Sequence, residues 1–126
     1  MAKILVVDDS KIFRMLASAP LVGAGHTVRQ VDPVSLFEVL KALYEFNPDL
    51  VVTDYWMPNC NGEILVRAIR DDPNFNNVKI LVCSSHGEST LVERMGDLLV
   101  NGYILKGGGM VNLLARAEHL VGEQAK

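Results

Sequence analysis

Four short apolar runs each end on a group able to do chemistry. Ile4–Val7 runs into the paired carboxylates Asp8-Asp9, Leu50–Thr53 into the lone carboxylate Asp54, Ile80–Cys83 into Ser84-Ser85, and Tyr103–Leu105 into Lys106. Were Asp8, Asp9 and Asp54 to meet, each pair about 4 Å apart would repel by roughly 4 kcal/mol at an effective dielectric of 20, so cations must join them. Mg²⁺ suits such a cluster. It takes oxygen ligands, uses one or two carboxylates, keeps several waters and completes its octahedron with phosphate oxygens. Lys106 would add a second, fixed positive charge. A metal and a lysine around a carboxylate nucleophile are the requirements of phosphoryl transfer, which needs positioning and charge neutralisation more than covalent help.

Singly, each residue has a plainer reading. An aspartate or serine before a helix, such as Asp9 or Ser10, caps free N–H groups. A serine like Ser84 bonds local backbone, and a lysine like Lys106 is most often solvated. The coincidence of four such groups at four strand ends favours a shared site.

That coincidence depends on the elements that carry the groups. Apolar runs alternate with stretches of helical period, the pattern of repeated βα units and a parallel sheet. Strands are expected at Ile4–Val7, Thr27–Val31, Leu50–Thr53, Ile80–Cys83 and Tyr103–Leu105. Helices are expected at Ser10–Val22, Ser35–Phe46, Gly62–Arg70, Ser89–Leu99 and Met110–Val121, with the apolar spacing Leu36, Val39, Leu40 and Leu43 as the clearest example. All the strand runs are continuously apolar except Thr27–Val31, which alternates and so reads as an edge strand. Asp32, just before Pro33, reads as a turn residue. In such a sheet ligands bind beyond the carboxyl ends of the strands, where strand order reverses. Pro20 breaks the local rules of the first helix and predicts a kink or an early end near Leu16–Pro20.

With 126 residues, 49% of them hydrophobic, the chain fits one domain spanning 1–126. The start lacks the zones of a secretory signal and no apolar run is long enough to cross a bilayer, so a cytoplasmic protein without membrane contact is expected. Cys60 and Cys83 then read as free thiols. A net charge of −3 with scattered Lys and Arg points to no direct nucleic-acid contact.

In order and spacing, these motifs resemble the response-regulator receiver domain of chemotaxis and two-component systems, over essentially the whole chain. "ILVVDDS" resembles that family's first strand with its acidic pair. "VVTDYWMPNCNG" fits its D-x-x-M-P-x-x-x-G signature, and "ILVCSS" and "GYILK" fit its hydroxyl and lysine strands. The resemblance implies an α/β, flavodoxin-like doubly wound (βα)5 fold, with a five-stranded parallel sheet in order 2-1-3-4-5 and helices on both faces.

It further implies that Asp54 is the phosphoacceptor, taking its phosphoryl group from a phosphohistidine on a histidine kinase or histidine phosphotransfer protein. Asp9, Asp54 and the backbone carbonyl of Trp56 would bind Mg²⁺ directly, and Asp8 mainly through water. Ser84 and Lys106 would hold the phosphoryl group, and Tyr103 would stand at the aromatic switch position, altering the surface made by the fourth helix, fifth strand and fifth helix. Such a module is not an enzyme in the ordinary sense: it accepts a phosphoryl group and slowly loses it by itself.

Three departures from the family pattern bear on that reading. Lys106 is followed by Gly107-Gly108-Gly109 where the family usually has a cis proline, which implies a trans bond and a looser loop. Trp56 and His86 occupy positions at which the family tunes dephosphorylation; a large indole there would shield the phosphoryl group from water and a histidine would orient water, although His86 reads more plainly as a solvated loop residue. His26 and His119 have no ligand-like partners in sequence.

Two other functions fit less well. A haloacid dehalogenase-type phosphatase also uses a strand-end aspartate, but needs a second acid two residues on, where this chain has Trp56. A flavodoxin-like cofactor binder would place flavin phosphate at the first βα turn, where Asp8-Asp9 would repel it.

Overall fold

The computed structural model describes residues 1–84, 100–106 and 110–124. Along the chain stand β1 (Lys3–Val7), α1 (Lys11–Gly23), β2 (Thr27–Val31), α2 (Leu36–Phe46), β3 (Leu50–Asp54) and α3 (Gly62–Asp71). A 3₁₀ turn (Pro73–Phe75), β4 (Lys79–Ser84), β5 (Gly102–Leu105) and a C-terminal helix (Met110–Gln124) follow. The expected helix at 89–99, His86 and the glycines at 107–109 lie outside the described residues.

The five strands form one parallel sheet in the order β2-β1-β3-β4-β5, as expected, with β2 at an edge. Successive strand residues point to opposite faces, so each central strand feeds two cores. On one face Leu5, Val7, Val51, Ile80 and Val82 pack beneath α2 and α3 through Val39, Leu43, Leu65 and Ile69. On the other, Ile4, Val6, Leu50, Val52 and Leu81 pack beneath α1 and the C-terminal helix through Ala17, Leu21, Leu113 and Ala117. This double covering explains why β3 is buried at every residue. In β2 every residue is exposed or only half-buried, in keeping with its alternating sequence.

The helix starts are set by local chemistry. Ser10, Ser35 and Asn61 cap α1, α2 and α3, each side-chain oxygen accepting a backbone N–H from the first turn. Of the kink or early end expected near Leu16–Pro20, the early end does not occur, and α1 continues to Gly23. Pro20 stands in the last turn, so only the bond to Leu16 is lost, while Ala24 N–H still reaches the Pro20 carbonyl at 3.0 Å. The 3₁₀ turn has no periodic signal in the sequence; Asp72 starts it by accepting the Asn74 N–H at 2.9 Å.

Candidate functional site

Strand register aligns the chemistry-bearing residues at one edge of the sheet. Val7 pairs with Thr53, which puts Asp8 level with Asp54, and Asp54 pairs with Cys83. Ser84 pairs with Leu105, so Lys106 follows one step beyond. The four chemistry-bearing strands, β1, β3, β4 and β5, are contiguous, and the reversal of strand order falls between β1 and β3, where the acidic residues lie.

Asp8, Asp9 and Asp54 converge there, one carboxylate oxygen from each lying within 4.8 Å of the others. Asp8 and Asp54 are buried, whereas Asp9 is exposed. The donor set is all oxygen, and that spacing fits one hard divalent cation with water completing its shell. Lys106 reaches the same group: its Nζ lies 2.8 Å from Asp8 Oδ2 and 2.9 Å from Asp54 Oδ2.

The electrostatics follow from burial against pairing. Burial pushes the Asp8 carboxyl above its ordinary value, and the nearby Asp54 charge adds to the effect, while hydrogen bonds from Lys106 and the Ser10 backbone oppose it. For Lys106, burial works to lower the ammonium pKa, but its bonds to Asp8 and Asp54 prevail and raise it. Lys106 is therefore a firmly held cation.

The β1–α1 loop is tied to the site by bonds within itself. Asp8 Oδ1 accepts the Ser10 N–H at 2.8 Å, Ser10 Oγ accepts the Phe13 N–H at 3.2 Å, and Arg14 Nη1 donates to the Asp8 carbonyl at 2.6 Å. Phe13 and Arg14 are the contributors that sequence reasoning missed. Phe13 reads there as an ordinary apolar residue of α1, and the one available signal is its place in the first turn after Asp8-Asp9.

After β3 the chain makes a tight return. Trp56 N–H donates to Asp54 Oδ1 at 3.3 Å, while the indole is 56% exposed and stands edge-on to Tyr55. Met57 and Cys60 turn inward to the core, and the Gly62 N–H bonds the Tyr55 carbonyl at 3.1 Å. A Cβ on Gly62 would lie 2.7 Å from the Asp54 carbonyl oxygen, so α3 begins hard against the strand that carries Asp54.

Ser84 is fully buried at the end of β4. Tyr103, in β5, is half-buried and lines a shallow cleft with Leu105, Asn112 and Arg116, away from the carboxylates. Both cysteines are free and buried, and burial pushes both thiols up, that of Cys83 to about 12, so neither has the lowered pKa of a reactive thiol. Among the described residues, no helix is long and apolar enough to cross a membrane.

Known proteins are similar to this chain in sequence and fold. The family model described as "Response regulator receiver domain" matches residues 4–118. A probable chemotaxis protein CheY of Rhizobium etli is 28% identical over 121 residues, covering 95% of this chain and 92% of that protein. The hybrid signal transduction histidine kinase D of Dictyostelium discoideum is 29% identical over 118 residues, 94% of this chain but 7% of that much longer protein. Among solved structures, the chemotaxis response regulator CheY4 of Vibrio cholerae superposes with a TM-score of 0.86 at 25% identity, covering 95% of this chain and 98% of that one. With the matched residues spanning the acidic cluster, the strand order and the Lys106 contact, the chain belongs to the response regulator receiver domain family of two-component signalling.

Proposed function

We propose that the chain is a single receiver domain in which Asp54 accepts a phosphoryl group from a phosphohistidine of a histidine kinase or histidine phosphotransfer protein in the cytoplasm. The observation that carries this reading is the Lys106 ammonium at 2.9 Å from Asp54 Oδ2, inside a cluster of three carboxylates. In the transfer a carboxylate oxygen of Asp54 forms a bond to phosphorus as the phosphorus–nitrogen bond of the donor breaks. The histidine nitrogen leaves with the electron pair.

The residues divide the work. The rigid backbone of β3 aims Asp54 at the sheet edge, and the Trp56 N–H orients one of its oxygens. Lys106 holds the other oxygen and then follows the charge onto the phosphoryl group. Ser84 offers its hydroxyl to the phosphoryl oxygens. Asp8, Asp9 and Asp54, with the Trp56 carbonyl, would hold Mg²⁺, which when bound neutralises charge on the phosphoryl oxygens.

The output follows from the added charge of about −1.5 to −2, which draws Ser84 and Lys106 toward the new oxygens. Tyr103 then changes rotamer and alters the surface it shares with the C-terminal helix for a protein partner. The phosphoryl group is lost slowly without a separate catalyst, and the exposed Trp56 indole shields it from water.

A match inside a hybrid histidine kinase supports a phosphohistidine donor. The test is transfer from a phosphorylated histidine phosphotransfer protein. The account expects Mg²⁺-dependent loss of label from the donor and gain on this chain, abolished by Asp54→Asn. Label gained equally by Asp54→Asn would refute it.

A further inference from the structure

Besides the two carboxylates, the Lys106 ammonium meets the ring of Phe13, whose centroid lies 4.2 Å from Nζ. That distance is well inside the range in which the electron-rich face of an aromatic ring attracts a cation. The lysine side chain is only 18% exposed, so water competes weakly for its charge. Among the described residues, Asp8, Asp54 and Phe13 are therefore fixed neighbours of Lys106.

The ring is itself well anchored. Phe13 donates its N–H to Ser10 Oγ, and its side chain packs against the core cluster that includes Ile4, Val6, Ala17 and Leu21. Ser10 in turn donates to Asp8, which ties the ring to the acidic pair. The lysine stem is four flexible carbons long, so its ammonium gains from a fixed external support.

We infer that Phe13 is the positioning residue of Lys106: its ring seats the ammonium between Asp8 and Asp54, so that the lysine is already in place when the phosphoryl group arrives. The ring takes no part in bond making or breaking and acts through the lysine. This rests on the function proposed above and adds to it a residue on α1 that sets how well the lysine performs.

The test uses the full chain with lysine side chains labelled for NMR, in wild type, Phe13→Leu and Phe13→Tyr. Leucine keeps apolar bulk without a ring, and tyrosine restores the ring. In wild type and Phe13→Tyr the Lys106 Cε protons should show an upfield ring-current shift, which Phe13→Leu abolishes while cooperative unfolding is retained. The rate of Mg²⁺-dependent phosphorylation by a small acyl phosphate should fall between about 2-fold and about 30-fold in Phe13→Leu and return close to wild type in Phe13→Tyr. A ring shift that survives in Phe13→Leu, an unchanged rate, or a Phe13→Tyr variant as slow as Phe13→Leu would each overturn the inference. A wild-type chain that takes no phosphoryl group would overturn the proposed function instead, and the lysine spectrum would still decide whether Phe13 seats the ammonium.

Discussion

Gly62 sits against the backbone of Asp54 so closely that a Cβ placed on it would lie 2.7 Å from the Asp54 carbonyl oxygen and 2.8 Å from Tyr55 Cα. These atoms, and the Tyr55 carbonyl oxygen also at 2.8 Å, are backbone and cannot rotate away. Gly62→Ala should therefore destabilise the fold by about 1–3 kcal/mol and displace the end of β3. Gly122 is the control, because it lies in the C-terminal helix and a Cβ added there would meet nothing within 4 Å. Gly122→Ala should stabilise by about 0.5–1 kcal/mol. Urea unfolding of the two variants checks both signs.

Asp8 illustrates a site held at some cost to the fold. Burial raises its carboxyl above the ordinary 3.8, so ionising it in the folded protein is unfavourable. Above that value the unfolded chain has already lost the proton, and folding stability falls as pH rises through the interval between the two values. Without divalent cations, Asp8→Asn should be more stable than wild type at neutral pH, with the advantage vanishing in acid. The same variant should bind Mg²⁺ at least about tenfold more weakly, as measured by calorimetry.

Lys106 shows the opposite sign of linkage. Its ammonium is raised above 10.5 because the bonds to Asp8 and Asp54 outweigh burial. That stabilisation is fully present below the unfolded lysine value and is lost as pH climbs through the folded one. Lys106→Met should cost about 3 kcal/mol at neutral pH by leaving buried carboxylates unpaired. The gap between wild type and variant should close above about pH 10.5. Denaturation midpoints across alkaline pH test this.

Trp56 is the single tryptophan of the chain and its backbone N–H donates to Asp54 Oδ1. Mg²⁺ binding at the adjacent carboxylates should therefore change its fluorescence emission in a saturable way. Asp9→Ala should need at least about tenfold more Mg²⁺ for the same change. An emission unaltered while calorimetry records binding would place the cation elsewhere.

The legibility of the site in the sequence has a physical basis. Strands covered on both faces must be apolar throughout, so a charge at a strand's end stands out, as Asp8, Asp54 and Lys106 do. The order of the strands then brings those ends together. Phe13 is not legible, because an apolar residue on an amphipathic helix looks the same whether it faces a core or an ammonium. Pro20 misleads because its cost depends on its distance from the helix end, which sequence locates only to within a few residues. Gly62 reads in sequence as permitting a close helix start, but only the structure shows how little space it leaves.

The most direct test of the central claim is the intact mass of the chain after incubation with Mg²⁺ and a small acyl phosphate, beside Asp54→Asn treated identically. The account predicts one added phosphoryl group on wild type, none without Mg²⁺ and none on Asp54→Asn. An adduct on both proteins, or on neither, would contradict it.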